Sequence, residues 1–272
     1  MSKISNKINF GNFFEDFSIG QKIVHPLPRT ISDGDVSLYI AFTGSRFALH
    51  SSDTVAKQMG YDKKPIDDML MFHLTFGKSV QDVSLNAIAN LGYAEMSFPN
   101  SVFVGDTVSM TSTVIGLKEN SNGKSGVVYV HSIGVNQDGA EVLNFKRWVM
   151  VHKKDKETLS NINEVPTFAK TTPIADVINI PTIKTVDTDS TGGKYFFEDY
   201  VAGERLNHPE GITIDNSDHT LATKLYQNNA KVHFNDHMMK STPMGQRLMY
   251  GGIIISTARA ISFNGLQNAQ WM

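Results

Sequence analysis

The chain has 272 residues, and its 25 lysines and arginines nearly balance its 27 aspartates and glutamates, for a formal net charge of −2. A chain without excess positive charge does not attract a polyanion, so nucleic acid is not an expected partner. Cysteine is absent, which excludes disulfides, thiolate metal sites and cysteine nucleophiles and fits a reducing cytoplasm.

The N-terminus lacks the apolar core of a signal peptide, and no run of about 18 apolar residues follows anywhere in the chain. We therefore expect a soluble, cytoplasmic protein without a membrane partner. The length is that of one large domain or two ordinary ones, and we expect two.

A repeat becomes visible when the chain is aligned with itself at an offset of 183 residues. Residues 13–53 then align without a gap with residues 196–236, and 13 of 41 positions are identical, including the FFED motifs and the pair His50 and His233. Agreement of this density predicts two copies of one fold. The predicted parts are a first domain at 1–155, a linker at 156–194 and a second domain at 195–272.

The first copy contains a long apolar segment, KPIDDMLMFHLTFGKSVQDVSL, after its histidine. Its apolar residues cover nearly all faces at helical spacing, which predicts a buried helix. Runs rich in valine, threonine and aromatic residues follow at 101–118, 123–136 and 140–154, separated by the turn signals ENSNG and NQDG. The prediction is an α+β architecture in which a curled antiparallel sheet surrounds a central apolar helix.

The second copy repeats the early elements of the first. EGITIDNSDHTLATK reads as a strand running into a helix, and the copy reaches its own apolar helix at 247–266 before the sequence stops at QNAQWM. We therefore predict that the second copy is incomplete and lacks its C-terminal strands. Either the chain is truncated or another subunit supplies the cover, because half a sheet exposes an apolar helix face. A homo-oligomer is the expected state.

The repeated position combines a polar segment, a histidine and the start of the apolar helix. A helix N-terminus presents unpaired backbone N–H groups and the positive end of the dipole, which suits a developing oxyanion. A histidine nearby can transfer a proton near neutral pH. Together these groups are the minimum for adding water to, or removing it from, a carbon next to a thioester carbonyl.

The order strand, TG-x-x-x-x-L-H, PI, apolar helix and VFVGDTV resembles the hot-dog fold of the MaoC-like, or R-specific, enoyl-CoA hydratases. Within that family, the stretch from PIDDMLMFHLTFG to GVNQDG, with LYQNNAKVHFNDH and RLMYGGIIISTARAISFNGL, is similar to the mesaconyl-CoA hydratases, also called β-methylmalyl-CoA dehydratases. The resemblance covers nearly all of residues 10–266. It implies a tandem hot-dog hydro-lyase that reversibly hydrates a branched, carboxylated enoyl-CoA. No cofactor is implied beyond the coenzyme A of the substrate.

Both copies depart from the catalytic dyad of the general family, which is an aspartate with a histidine five residues later. Ser45 stands five residues before His50, and Asn228 stands five residues before His233. Neither a serine nor an amide accepts a proton as a carboxylate does. The resemblance therefore implies the position of the site but leaves its acid-base chemistry to be assigned.

We assign the active site to the second copy, where His233 acts as the base and Asn228 orients the water. The turn at Gly251 and Gly252 polarises the thioester oxygen through its N–H groups. Tight helix packing is the alternative role for the two glycines. The assigned substrate-binding residues are Lys231 and Arg46, as cations for the free carboxylate, and His50, with surface charges and a structural histidine as the alternatives.

Two other functions stay open at this point. The chain is an incomplete fragment or an acyl-CoA-binding subunit if its site needs the missing strands. It is a thioesterase if the thioester is hydrolysed, a reaction that generally requires a carboxylate near the thioester and that releases a free thiol. A hydratase for a different enoyl-CoA is a narrower alternative. No metal site is predicted, because His233 and His237 lack a third ligand at recognisable spacing.

Overall fold

The strands form one antiparallel sheet, and every strand in the described residues lies before residue 165. The computed structural model describes residues 7–157, 159–183 and 185–270. The strand order is β1-β3-β4-β5-β2, and β6 pairs with β3. The strands are β1 (Lys22–Thr30), β2 (Ala87–Ser97), β3 (Thr107–Glu119), β4 (Ser125–Val135), β5 (Glu141–His152) and β6 (Asn163–Glu164).

Helices precede the meander in the first copy, and the regular elements of the second copy in the described residues are all helical. In the first copy they are α1 (Asp33–Thr43), α2 (Ala48–Ser51), α3 (Asp53–Gln58) and α4 (Asp68–Phe76). Between the copies lie α5 (Ile174–Val177) and α6 (Thr188–Thr191). The second copy has α7 (Asn216–Leu225), α8 (Lys231–Phe234), α9 (Asp236–Met239) and α10 (Gly251–Ile261). None of the helices in the described residues has the length and apolar character that crossing a membrane requires.

The predicted central helix is confirmed as α4, in which every residue is buried. A 3-10 turn at Gly77–Ser79 and a π-helical turn at Val80–Ser84 extend it towards β2. The three predicted meander strands are confirmed as β3, β4 and β5. Gly123 and Gly139, in the two predicted turns, have φ of 66° and 78°, a left-handed conformation that glycine adopts at little cost.

Two strand assignments differ from the sequence-based prediction. β2 was not predicted, because its alanines, asparagine, glycine and glutamate have low β propensity and its residues are only partly buried. The strand predicted ahead of α7 is wrong, since residues 210–214 form no strand. Its counterpart β1 pairs with β3, and the described residues after 196 contain no equivalent of β3 to supply that ladder.

The duplication is confirmed helix by helix. α7, α8, α9 and α10 each begin 183 residues after α1, α2, α3 and α4, respectively. The two copies differ in the cover of the apolar helix. α4 is enclosed, whereas Ile254 and Ile255 of α10 are 47% and 43% exposed. An exposed apolar face on the second helix is what the sequence analysis predicted.

The predicted linker at 156–194 contacts the first copy. β6 pairs with β3 there, and Phe168 stacks on Trp148 with ring centroids 5.1 Å apart. These contacts hold this part of the segment against the sheet of the first copy, and the exact domain boundaries remain a prediction.

Candidate active site

A cavity of about 400 Å³ lies where α10 faces β2 and the end of α4. Its lining includes all four residues that we predicted to be catalytic, namely Asn228, His233, Gly251 and Gly252. No aspartate or glutamate of the described residues contributes to this lining. The structure therefore gathers the predicted catalytic residues around one space, to which the described part of the chain contributes no carboxylate.

The imidazole of His233 is oriented by the backbone. Its Nδ1–H donates to the carbonyl oxygen of Leu248 at 3.0 Å, and its Nε2 has no hydrogen-bond partner within the described residues. Burial lowers the pKa of His233 below its ordinary value of 6.5, and the hydrogen bond to Leu248 opposes this only in part. At neutral pH the ring is therefore neutral and carries a free lone pair on Nε2.

Asn228 is held by the turn that follows α7. The side chain is buried, and its Oδ1 accepts from the N–H of Ala230 at 3.3 Å. The turn passes through Gln227, whose φ of 55° is left-handed. A non-glycine residue in this conformation is strained, and Lys78 holds it by donating from Nζ to Gln227 Oε1 at 2.7 Å.

The N-terminus of α10 has unpaired amides. The N–H of Tyr250 donates to His219 Nε2 at 3.0 Å, whereas the amides of Gly251 and Gly252 meet no acceptor within the described part of the chain. Burial is the main reason that the pKa of His219 falls to about 4, and the charge of Arg247 and, when it is protonated, that of His233 add to the effect. His219 is therefore a neutral acceptor that fixes the start of α10.

The two glycines of this turn have different surroundings. A Cβ on Gly252 would lie 2.3 Å from the ring of Tyr250 and 2.5 Å from that of His73, whereas a Cβ on Gly251 would have no neighbour within 4 Å. Gly252 therefore permits close packing, whereas the space beside the Cα of Gly251 is open.

In the first copy, the histidine and the helix-start amide that correspond to His233 and Gly252 already have partners within the protein. His50 is buried, its Nδ1 lies 3.2 Å from the carbonyl oxygen of Pro65, and its Nε2 lies 2.9 Å from that of Gln270. The N–H of Met69, which corresponds to Gly252, donates to the carboxylate of Asp67 at 2.9 Å. His50 thus lies outside the cavity with both ring nitrogens facing backbone carbonyls.

Neither of the predicted cations lines the cavity. Lys231 donates from Nζ to Asn86 Oδ1 at 2.8 Å and faces a separate groove beside Lys154. The Arg46 guanidinium lies over the ring of Phe263 at 4.8 Å and 3.5 Å from a carboxylate oxygen of Glu210. The structure does not bring these two residues together with His233.

A different cation lines the cavity and was missed by sequence reasoning. Arg147 on β5 is fully buried and contributes to the same lining as His233. A signal for it existed, because alternate residues of β5 form an inward row that is otherwise apolar, namely Leu143, Phe145, Arg147, Val149 and Val151. No group of three histidine, aspartate or glutamate side chains within the described residues could hold a metal ion.

Comparisons with known proteins identify the family of the chain. A family model described as mesaconyl-CoA hydratase matches residues 3–265. The chain is 51% identical over 268 residues to a β-methylmalyl-CoA dehydratase from Chloroflexus aurantiacus, a match that covers 98% of this chain and 76% of the relative. It is 48% identical over 266 residues to a mesaconyl-CoA hydratase from Cereibacter sphaeroides, with 97% and 77% covered.

Solved structures confirm the fold. A structure described as a MaoC domain protein dehydratase from Chloroflexus aurantiacus superposes with a TM-score of 0.95 at 50% identity, covering 98% of this chain and 77% of that chain. A Mycobacterium tuberculosis protein described as a double hot-dog fold superposes with a TM-score of 0.74 over 96% of this chain and 79% of that chain, at 21% identity. The α+β, tandem hot-dog prediction is thus confirmed, and the chain belongs to the mesaconyl-CoA hydratase family of hydro-lyases.

Proposed function

We propose that the chain reversibly hydrates a branched, carboxylated enoyl-CoA of the mesaconyl-CoA type. The names of its relatives and of the matching family support this substrate class. The observation that carries the proposal is the pairing of an unpartnered His233 Nε2 with the unpaired amides of Gly251 and Gly252 in one cavity. A base and an oxyanion-binding turn are the two groups that this reaction needs.

In the hydration direction, the water oxygen bonds to the alkene carbon farther from the thioester while His233 Nε2 takes a proton from that water. The π electrons move towards the thioester oxygen, which becomes an enolate and accepts hydrogen bonds from the N–H groups of Gly251 and Gly252. The His233 imidazolium then returns its proton to the carbon next to the thioester. Dehydration follows the same steps in reverse. A placed base contributes about 10²–10⁴-fold, and each oxyanion donor contributes about 10²–10³-fold.

The amide of Asn228 suits a substrate that is already an anion. It can hold the water by hydrogen bonding without a charge of its own. A carboxylate in its place would repel the carboxylate of a mesaconyl thioester across a cavity of low polarity. The proposed role of Asn228 is therefore to position water, and His233 alone transfers the proton.

Thioester hydrolysis is the second candidate, and the lining of the cavity disfavours it because the reaction generally uses a carboxylate there. No cofactor is proposed beyond the coenzyme A of the substrate. The exposed isoleucines of α10 support the proposal of a homo-oligomer, in which a second subunit covers them.

The test is to mix purified protein with mesaconyl-CoA and to follow the absorbance of the conjugated enoyl thioester together with free thiol. Loss of absorbance without thiol release is the expected result, and His233→Ala is expected to abolish it while retaining the native circular dichroism spectrum. Thiol release at the same rate as the absorbance change would identify a thioesterase. No change with folded protein would reject the hydratase proposal for this chain.

A further inference from the structure

The wall of the cavity contains a buried cation without a counterion. Arg147 has no exposed surface, and it forms no ion pair with any carboxylate of the described residues. Its Nη2 donates to Ser79 Oγ at 2.8 Å, whereas its Nε and Nη1 have no hydrogen-bond partner there. A guanidinium carries five N–H donors, so most of this group is unsatisfied.

The groups around Arg147 offset little of the cost of burying its charge, because they provide one hydroxyl acceptor and one aromatic ring. The hydroxyl of Ser79 donates to the carbonyl of Phe76 at 2.8 Å and accepts from the guanidinium. The ring of Phe76 lies 4.4 Å from the guanidinium carbon, close enough for a cation–π contact. Burial lowers the pKa of Arg147 to about 10, so the side chain stays protonated at neutral pH. Because buried charges are normally paired, this cation is expected to gain an anion from outside.

Arg147 belongs to the same cavity as the proposed catalytic groups. Both Arg147 and His233 contribute to its lining, as do Phe76, whose ring the guanidinium contacts, and Tyr250, whose ring centroid lies 6.2 Å from that of Phe76 and 5.4 Å from that of the His233 imidazole. Since no aspartate or glutamate of the described residues lines this space, the cation has no competing anion within it. An anion that reaches Arg147 therefore comes from outside the protein, and the carboxylate of the proposed substrate is one such anion.

We infer that Arg147 forms a carboxylate-binding site at the wall of this cavity and holds the free carboxylate of the substrate through its unpaired N–H groups. The inference rests on the proposed function and adds the residue that selects the substrate class. A mesaconyl thioester carries its free carboxylate on one of the two alkene carbons. Anchoring that group fixes the alkene relative to the water and to His233, which is how a binding contact aids the chemical step.

The same contact excludes uncharged substrates. An enoyl-CoA with a methyl group in place of the carboxylate would leave the buried guanidinium unpaired. Sites built to bind a polar group reject analogues that lack it by large factors for this reason. Arg147 thus replaces Lys231 and Arg46, which lie outside the cavity, as the cation that recognises the carboxylate.

The test compares Arg147→Met with the wild type on two substrates, mesaconyl-CoA and tiglyl-CoA, in which a methyl group replaces the carboxylate. For mesaconyl-CoA we expect Arg147→Met to lower kcat/KM by on the order of 100-fold or more, since hydrogen bonds to charged groups are lost. For tiglyl-CoA kcat/KM should be unchanged or higher. Lys146→Met is the matched control, because it removes a charge from the adjacent position of β5, where Lys146 pairs with Glu95 and does not line the cavity.

Calorimetric binding separates this inference from the proposed function. Succinyl-CoA and butyryl-CoA differ in a terminal carboxylate, and neither has a double bond to hydrate. The wild type should bind succinyl-CoA more tightly, Arg147→Met should lose that preference, and Arg147→Lys should keep part of it. If the wild type shows the preference but does not hydrate mesaconyl-CoA, the carboxylate site stands and the hydratase proposal fails. Equal binding of both thioesters by the wild type, or a folded Arg147→Met protein that keeps the preference, would overturn the inference.

Discussion

The duplicated histidines should respond in opposite ways to the same substitution. His50 is 4% exposed, and both its ring nitrogens face backbone carbonyls. In His50→Ala the carbonyls of Pro65 and Gln270 lose these partners and a buried ring is removed, which should lower the free energy of unfolding by about 2–5 kcal/mol. His233 loses one hydrogen bond at a partly open site, so His233→Ala should cost about 1 kcal/mol.

The effect on turnover should be reversed. His233→Ala removes the proposed base and should lower kcat by about 10²–10⁴-fold, whereas the folded fraction of His50→Ala should turn over at close to the wild-type rate. Urea unfolding gives the free energies, and the initial loss of enoyl absorbance gives the rates. The reasoning is refuted if His50→Ala keeps full stability and loses as much turnover as His233→Ala.

Three further predictions concern the second copy. Burial depresses the pKa of His233, and the proposed base must be neutral to act. The value of kcat/KM should therefore be constant at neutral pH and fall as the pH drops through an apparent pKa below 6.5. A midpoint of the pH profile above about 7 would exclude His233 as the base. Asn228→Asp places a carboxylate near the imidazole of His233, so the pKa of His233 should rise. The acidic limb of the pH profile should then move to higher pH, and activity on mesaconyl-CoA should fall. An unmoved limb would show that position 228 does not act on His233. Gly252→Ala should lower the free energy of unfolding by about 1–3 kcal/mol, because its Cβ meets the rings of Tyr250 and His73. Gly251→Ala should leave stability within about 1 kcal/mol of the wild type and reduce turnover, and thermal and kinetic measurements on both alanine variants check the contrast.

The duplicated fold could be predicted because it depends on local signals. The apolar helix, the alternating strands and the glycine turns each carry their own pattern, and the repeat places a second set of the helices 183 residues later. β2 could not be predicted in this way, because its alanines and polar residues become a strand through pairing with β5. The strand predicted at residues 210–214 is wrong for the opposite reason. Its local pattern favours a strand, but a strand does not form without a partner to pair with.

The candidate site likewise contains residues that the sequence could indicate and one that only the fold brings to it. His233 and Asn228 are close in sequence and keep the five-residue spacing of the family's dyad, with an amide in place of the acid, so they could be proposed from the chain itself. Arg147 comes from β5 of the first copy and reaches the second copy's site only in the folded molecule. The two predicted cations, Lys231 and Arg46, were chosen because they are near in sequence, and side-chain direction placed both elsewhere.

The difference between the copies can be traced to the first turn of the apolar helix. In the first copy Asp67 caps that turn and accepts the N–H of Met69, so the amide that corresponds to Gly252 is not available to an oxyanion. At the corresponding positions the second copy has Tyr250 and Gly252, and the side chain of Tyr250 does not cap the helix. An acid at position 250 would restore the cap and close the site. The absence of a capping carboxylate, which ordinarily costs about 1 kcal/mol of stability, therefore leaves the amides of this turn available for the proposed enolate.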